Sequence, residues 1–266
     1  MNHQSSTINH NSLTLGWLYP ELMSTYGDRG NITVLKKIAE DNGIKFDVLR
    51  INQTSNSSLL STCDILFMGG AQDLQQEIVN RDLIENKGEI LREKIEQDTP
   101  GLYICGAYQF LGNYYKDAYG TTIPGLGIFE MHTESYKTKP RLIGNIVVKP
   151  SNSLIMNHKS LIDSFFFVGF ENHGGRTYLA DKNQAFAKVI QGYGNNGKDK
   201  TEGIHYKNSI GTYLHGPILP SNPELAVYLL KTAYLKKYGK ESKITFDNEL
   251  AKKAKQQMLR KLKTDY

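Results

Sequence analysis

Apolar and polar positions follow two different rhythms along this chain, and the change of rhythm divides it. Up to about residue 116, short apolar runs alternate with segments of helical spacing. LTLGWLYP reads as a buried strand. The loop STYGDRGN then runs into ITVLKKIAEDNG, where Ile32, Leu35, Ile38 and Ala39 recur at helical spacing and Gly43 closes the helix. IKFDVLRI alternates as a strand does; after a polar, serine-rich stretch, CDILFMGG is an apolar run stopped by two glycines. Residues 72–98 predict one charged helix with Ile84, Ile90, Leu91 and Ile95 toward the core, broken at Pro100. GLYIC resumes a strand, and GAYQFLGNYY turns helical again. Strands alternating with helices imply a parallel sheet whose right-handed crossovers put helices on both faces.

The second half is richer in strands. LIGNIVVKP, SFFFVGFENHG, AFAKVIQGYG and EGIHYKNSIGTYLHG are separated by Gly-, Asn- and Asp-rich connections, and GYGNNGKDKTEG is expected as a hairpin tip or mobile loop. NPELAVYLLKTAYLKKYG is a strong helix with Pro223 placed early and Gly239 as its stop. A final basic helix is expected near 248–263. The pattern contains no internal repeat and no long linker. It predicts one α/β domain with a mixed sheet, preceded by a loose polar tail over residues 1–12.

Composition narrows the class. With 39% hydrophobic and 22% charged residues among 266, the chain is an ordinary globular protein, which excludes collagen, a long coiled coil and wholesale disorder. No stretch approaches the ~20 apolar residues of a membrane helix, and the N-terminus lacks signal-peptide architecture, so a cytoplasmic chain is expected. Cys63 and Cys105 cannot form a disulfide framework or a four-cysteine zinc site. From Lys231 onward there are 11 Lys and Arg against 4 Asp and Glu, whereas the preceding 230 residues carry 21 against 23. The positive charge is thus gathered from Lys231 to the C-terminus, where residues 241–266 are expected as a basic helical extension. A solvated helix face, a partner contact or an anionic membrane would each suit it. Zinc spacing and ribonucleoprotein motifs are absent, so nucleic acid is not an expected partner.

The chemistry concentrates at Gly101-Leu-Tyr-Ile-Cys105-Gly-Ala-Tyr-Gln109. A buried strand delivers a cysteine, glycine follows at once, and a helix begins. Such an elbow pushes the side chain off the strand end, and the helix N-terminus favours a thiolate. A small buried core cysteine is the plain alternative; Cys63, without such a turn, takes that reading. The neighbouring strand ends in Met68-Gly69-Gly70, so backbone N–H groups near Gly70, with that of Gly106, would suit an oxyanion hole. A bare glycine turn is the alternative there. A thiolate nucleophile needs a proton carrier. Among His132, His158, His173, His205 and His215, the best placed is His215, at a strand end followed by Gly-Pro. His173, in a glycine-rich turn, is second.

ICGAYQ, the glycines of MGGAQD and the late histidine of TYLHGP together make the chain resemble the class I glutamine amidotransferases. FENHGGRT, EGIHYKN, LHGPILP, YGDRGN and the Arg141-Leu-Ile-Gly turn bring it near their cobyric-acid-synthase-like branch, and there nearest to the amidotransferase subunits of lipid II isoglutaminyl synthases. The resemblance implies a single flavodoxin-like domain over 13–240, with a central, mostly parallel sheet, helices on both faces and an added antiparallel region. It implies Cys105 as nucleophile and His215 as general base and acid. Gly70, Gly106, Gln109 and Arg141 would meet the substrate, glutamine, with Arg141 on its α-carboxylate. It further implies a heterodimer with a Mur-ligase-like catalytic subunit, which acts on lipid II at the inner face of the membrane. No cofactor or metal is expected on this chain; ATP and Mg would sit on the partner, in keeping with the lack of a GxxxxGK[ST] loop here. One departure stands out. Many class I enzymes have His-x-Glu, whereas this chain has His215-Gly-Pro217, so the usual third member is missing. Asp28 of YGDRGN is the substitute to test, against an ordinary role as a helix cap. Glu171 and His173 would line the pocket or brace the glycine turn.

Overall fold

The structure is a computed structural model describing residues 11–25, 27–71, 73–151, 166–246 and 249–261. In chain order its strands are β1 (Ser12–Leu18), β2 (Lys45–Ile51), β3 (Ile65–Met68), β4 (Gly101–Ile104), β5 (Tyr114–Lys116), β6 (Thr122–Pro124) and β7 (Met131–Glu134). There follow β8 (Leu142–Pro150), β9 (Phe167–His173), β10 (Arg176–Leu179), β11 (Ala187–Gln191), β12 (Thr201–Glu202), β13 (Ile204–Tyr206) and β14 (Ser209–Thr212). The helices are α1 (Arg29–Asp41), α2 (Asp73–Asp82), α3 (Gly88–Glu96), α4 (Gly106–Phe110), α5 (Ile218–Ser221), α6 (Pro223–Tyr238) and α7 (Glu249–Lys261).

The main sheet has the order β13-β14-β4-β3-β1-β2, with five parallel strands and an antiparallel β13 at one edge. Its inner strands β3, β4 and β14 are buried throughout, and side chains along the sheet divide by the two-residue period. Leu13, Leu15, Trp17, Ile65, Phe67, Leu102 and Ile104 join α1 and α6 in one core; Leu18, Leu66, Met68 and Tyr103 join α2, α3 and α4 in the other. Helices therefore cover both faces, as the alternation predicts. All four predicted core positions of α1 are buried. Helix α6 is apolar nearly all round and correspondingly buried, with Pro223 in its first turn and Gly239 as a left-handed cap. The remaining strands form two further four-stranded sheets, β10-β7-β5-β6 and β12-β11-β8-β9, and GYGNNGKDKTEG is the hairpin connection between β11 and β12.

Three local expectations are corrected. The helix of 72–98 is interrupted by a π-helical turn, Leu83–Lys87. The extra residue shifts the helical phase, so Leu83 takes the core position and Ile84 is 48% exposed. The same turn buries Lys87, whose Nζ lies 2.7 Å from Asp82 Oδ2, an oxygen that also accepts from Tyr19 Oη at 2.8 Å. GAYQFLGNYY is helical only to Phe110; Asn113 donates to the Met131 carbonyl, and the tyrosines after it open β5. Ser12 already belongs to β1, while residues 1–10 of the expected tail lie outside the described residues, as does His158. The final basic helix is described over Glu249–Lys261.

Candidate active site

The site lies beyond the carboxyl ends of β1, β3, β4 and β14. At the end of β4 the chain turns so sharply that Cys105 takes φ +52°, a left-handed conformation that costs a non-glycine residue energy. α4 begins at the next residue, and the Gln109 N–H donates to the Cys105 carbonyl at 3.0 Å. The elbow read from the sequence is therefore present in the backbone. Cys63 is buried, with its thiol pushed up to about 11 chiefly by burial; it is a core residue.

His215 sits three residues past the end of β14. Its backbone exchanges hydrogen bonds with Phe170 (N–H donated at 2.7 Å, carbonyl accepting at 3.1 Å), which ties this exit to β9. The imidazole is buried, and the Nδ1 atom is 3.9 Å from Asp28 Oδ1, an ion-pair distance. Burial alone opposes a charged imidazole. The negative charge of Cys105 and hydrogen bonds to Asp28 and Cys105 together outweigh it, and His215 is pushed up to about 10.

Asp28, fully buried, precedes α1 but makes no side-chain cap there. Its Oδ2 accepts the Gly70 N–H at 2.7 Å instead. Asp28 therefore does not cap α1, and the Gly70 N–H is bonded to Asp28. Gly70 belongs to the site through its missing side chain: a Cβ there would stand 2.6 Å from Thr25 Oγ1, 3.1 Å from His215 Cε1 and 3.4 Å from Cys105 Cβ. The first turn of α1 is seated at Gly30, where a Cβ would meet the Pro217 ring at 2.5 Å. Thus YGDRGN and LHGP, far apart in sequence, close on one another. Gly106 opens α4, where the first N–H groups have no partner within the helix.

The remaining predicted residues surround the turn Asn172–Gly175. Arg141 donates from Nε to Asn172 Oδ1 and from Nη2 to the Asn172 carbonyl, both at 2.9 Å. Gln109 lies across the turn, its Nε2 donating to Tyr213 Oη at 3.0 Å; that N–H supports a neighbour. His173 is buried, bonded through Nδ1 to the Gly175 carbonyl at 2.8 Å and stacked on Tyr213 with ring centroids 3.7 Å apart. Burial holds its pKa below the usual imidazole range. Glu171 accepts from the N–H groups of Tyr193 and Gly194 at 2.7 and 2.9 Å. Both therefore brace turns. The sequence reading missed Thr25, Tyr213 and Glu202, none of which has a spacing signal. Among the described residues no group of three or more His, Cys, Asp or Glu could hold a metal ion, and no helix is long and apolar enough to cross a membrane.

The chain is 44% identical over 248 residues to a Staphylococcus aureus protein, the lipid II isoglutaminyl synthase (glutamine-hydrolyzing) subunit GatD, covering 93% of this chain and 95% of that one. It is 41% identical over 231 residues to the subunit of the same name from Streptococcus pneumoniae, covering 86% and 83%. A cobyric acid synthase of Ruminiclostridium cellulolyticum is 26% identical over 240 residues, 85% of this chain but 45% of that longer protein. In fold, the chain is similar to PurLQS from Thermotoga maritima (TM-score 0.53, 13% identity, covering 86% and 99%) and to the glutaminase domain of Trypanosoma brucei CTPS (0.52, 11%, covering 90% and 98%). Residues 14–223 match the CobB/CobQ-like glutamine amidotransferase domain, and the chain belongs to that family.

Proposed function

We propose that this chain is the glutamine-hydrolysing subunit of a lipid II isoglutaminyl synthase, working in the cytoplasm. The observation that carries the reading is the strained Cys105 elbow facing a buried His215 across Gly70, in a chain with the two GatD relatives above. The Cys105 thiolate attacks the carboxamide carbon of glutamine, and the oxyanion formed turns toward the Gly106 N–H at the start of α4. Protonated His215 gives its proton to the departing nitrogen, ammonia leaves, and a γ-glutamyl thioester remains. His215, now neutral, takes a proton from water as that water attacks the thioester; glutamate leaves and the thiolate returns. Asp28 supports the imidazolium and, through Gly70, the wall of the site. Arg141, whose Nε and Nη2 bond Asn172, pairs through its remaining N–H groups with the substrate α-carboxylate.

The ammonia then serves a Mur-ligase-like partner. That subunit, with ATP and Mg, activates the D-glutamate carboxylate of the lipid II stem peptide, and ammonia converts it to D-isoglutamine in peptidoglycan synthesis. The test is glutamate release from glutamine by the purified chain, alone and with the ligase partner, beside Cys105→Ala. Release that vanishes in the variant, and amidated lipid II formed from glutamine only when both subunits and ATP are present, are the expected results. Unchanged release by Cys105→Ala would overturn the mechanism; amidation that needs free ammonia even with this chain present would overturn the pairing.

A further inference from the structure

Behind the site stands a carboxyl that the reaction above does not use. Glu202 ends β12 and is fully buried. Its Oε1 accepts from Thr212 Oγ1 at 2.6 Å and from the Tyr213 N–H at 2.8 Å, and Thr212 Oγ1 in turn accepts the Leu214 N–H at 3.1 Å. These are the residues between the end of β14 and His215. Past a strand end, backbone N–H groups lose their ladder partners and must find others when buried. Here one carboxylate oxygen supplies them, directly for Tyr213 and through the Thr212 hydroxyl for Leu214. On the far side of the same segment, Phe170 holds the His215 backbone. Tyr213, fixed through its N–H, is the ring on which His173 stacks and the hydroxyl that Gln109 and Thr177 bond.

We propose that Glu202 is a positioning residue of the Cys105–His215 pair: by anchoring Thr212–Leu214 it fixes where β14 delivers the imidazole, more firmly when ionised than when protonated. A carboxylate makes charge-assisted bonds to the Thr212 hydroxyl and Tyr213 N–H, and a neutral carboxyl makes weaker ones. Glu202 Oε2 is buried with no hydrogen-bond partner. Burial, reinforced by the charge of Glu171, pushes the carboxyl up to about 7. Among the described residues, the titratable groups bearing on this corner are Glu171 from β9, Tyr108 from α4 and Tyr213 itself, with Asp199 acting on Tyr108 from the β11–β12 connection; His173, stacked on Tyr213 and 3.7 Å from Glu171 Oε2, is kept from charging by burial. The carboxyl thus changes state in the neutral range.

The kinetic arm of the test rests on the glutaminase reading, and a second arm does not. Full-length wild type, Glu202→Gln and Thr212→Val are compared across about pH 5.5 to 9 for kcat and KM on glutamine. In parallel, alkylation of Cys105 by iodoacetamide, followed by mass spectrometry, reads the Cys–His pair without glutamine. Wild-type kcat and alkylation are expected to rise with pH through about 7. Glu202→Gln should lose that rise and fall about tenfold in kcat at pH 8 with KM within about threefold, the size expected of a small misplacement of a reacting group. Thr212→Val, which keeps the carboxyl ionisable but removes one donor, should keep the rise and lose about threefold in kcat. Superimposable pH profiles for wild type and Glu202→Gln, or a fall in thermal stability alone, overturn the proposal. If Glu202→Gln does not fold, an unchanged kcat in Thr212→Val overturns it. If wild type releases no glutamate, the glutaminase reading fails, and the alkylation profiles alone decide the role of Glu202.

Discussion

Strands β4 and β14 lie side by side, run in the same direction and each deliver one reacting side chain, yet they hold it by opposite means. At β4 the hold is mostly local: the backbone strain sits on Cys105 itself, α4 starts at the next residue, and the first helical bond closes back on the Cys105 carbonyl, while one long-range bond, from the Cys105 N–H to the Thr212 carbonyl at 2.9 Å, ties the turn to β14. At β14 the side chain arrives three residues after the strand has ended. It is held by Glu202 through Thr212 and Tyr213, by Phe170 through the backbone and by Asp28 at the ring. The nucleophile is placed mainly by the conformation of a few consecutive residues and one bond to β14, the base by contacts gathered from the whole chain. Damage at the first should be abrupt and confined, and damage at the second graded and reachable from afar.

The largest effect expected is from Cys105→Ala, which should remove glutamate release by more than about 10⁴-fold, because no other group forms the thioester. Alanine keeps the Cβ, and with it the same backbone conformation, and removes only the sulfur, so circular dichroism and melting temperature should match wild type. Residual release within tenfold of wild type would break the assignment of the elbow. His215→Asn should cost less, about 10³-fold in kcat, as for loss of a general acid and base at an otherwise complete site. Single-turnover trapping of the acyl-enzyme is the sharper measurement: slower thioester formation and slower hydrolysis are both expected, and an effect on only one would reassign the proton carrier.

The same contrast explains which parts were legible in the sequence. The elbow needs only a strand, Cys105-Gly106 and a helix, a pattern contained in nine residues, and it is present as read. The buried set Ile32, Leu35, Ile38 and Ala39 follows from one helical period. Periodicity failed where a single residue changed the phase: the π-helical turn at Leu83–Lys87 sends Ile84 to the surface, and nothing in the composition of that stretch announces it. His215 is legible from its strand-end setting and family motif, and Asp28 beside it from the YGDRGN loop, but the hydrogen bonds that hold them are not. The Gly70 N–H goes to Asp28, and the Glu202 carboxyl goes to Thr212 and Tyr213. Such pairings depend on how three sheets pack and leave no spacing in the sequence.

Asp28→Asn tests the distributed side at its ring contact. The amide keeps the shape and an acceptor for the Gly70 N–H, but removes the charge 3.9 Å from Nδ1. With one support gone, the imidazole, raised to about 10 in wild type, gives up its proton at lower pH. The expected loss is about tenfold to a hundredfold in kcat/KM at neutral pH, with the alkaline limb of the profile moved acidward. An alkaline limb that stays in place would show that Cys105 alone sustains the charge on His215.

The smallest effect is on stability, and it has the opposite sign to the kinetic one at the same residue. The Glu202 carboxyl is raised from 4.5 to about 7 on folding, so the folded state binds its proton more tightly. The linked stability is fully present below about pH 4.5 and is lost as pH rises through about 7. Above that, the protein keeps a buried charge, at a cost of about 3 kcal/mol. Glu202→Gln, neutral at every pH, does not pay that penalty. Its melting temperature relative to wild type should therefore rise by a few degrees between pH 5 and pH 8, while kcat falls. A melting difference that stays constant with pH would mean that Glu202 is already paired in the folded protein, and the case for a carboxyl poised behind His215 would fall with it. A gain in stability joined to a loss of turnover would show that the base end of the site is held at an energetic cost that the elbow end takes up in its own backbone.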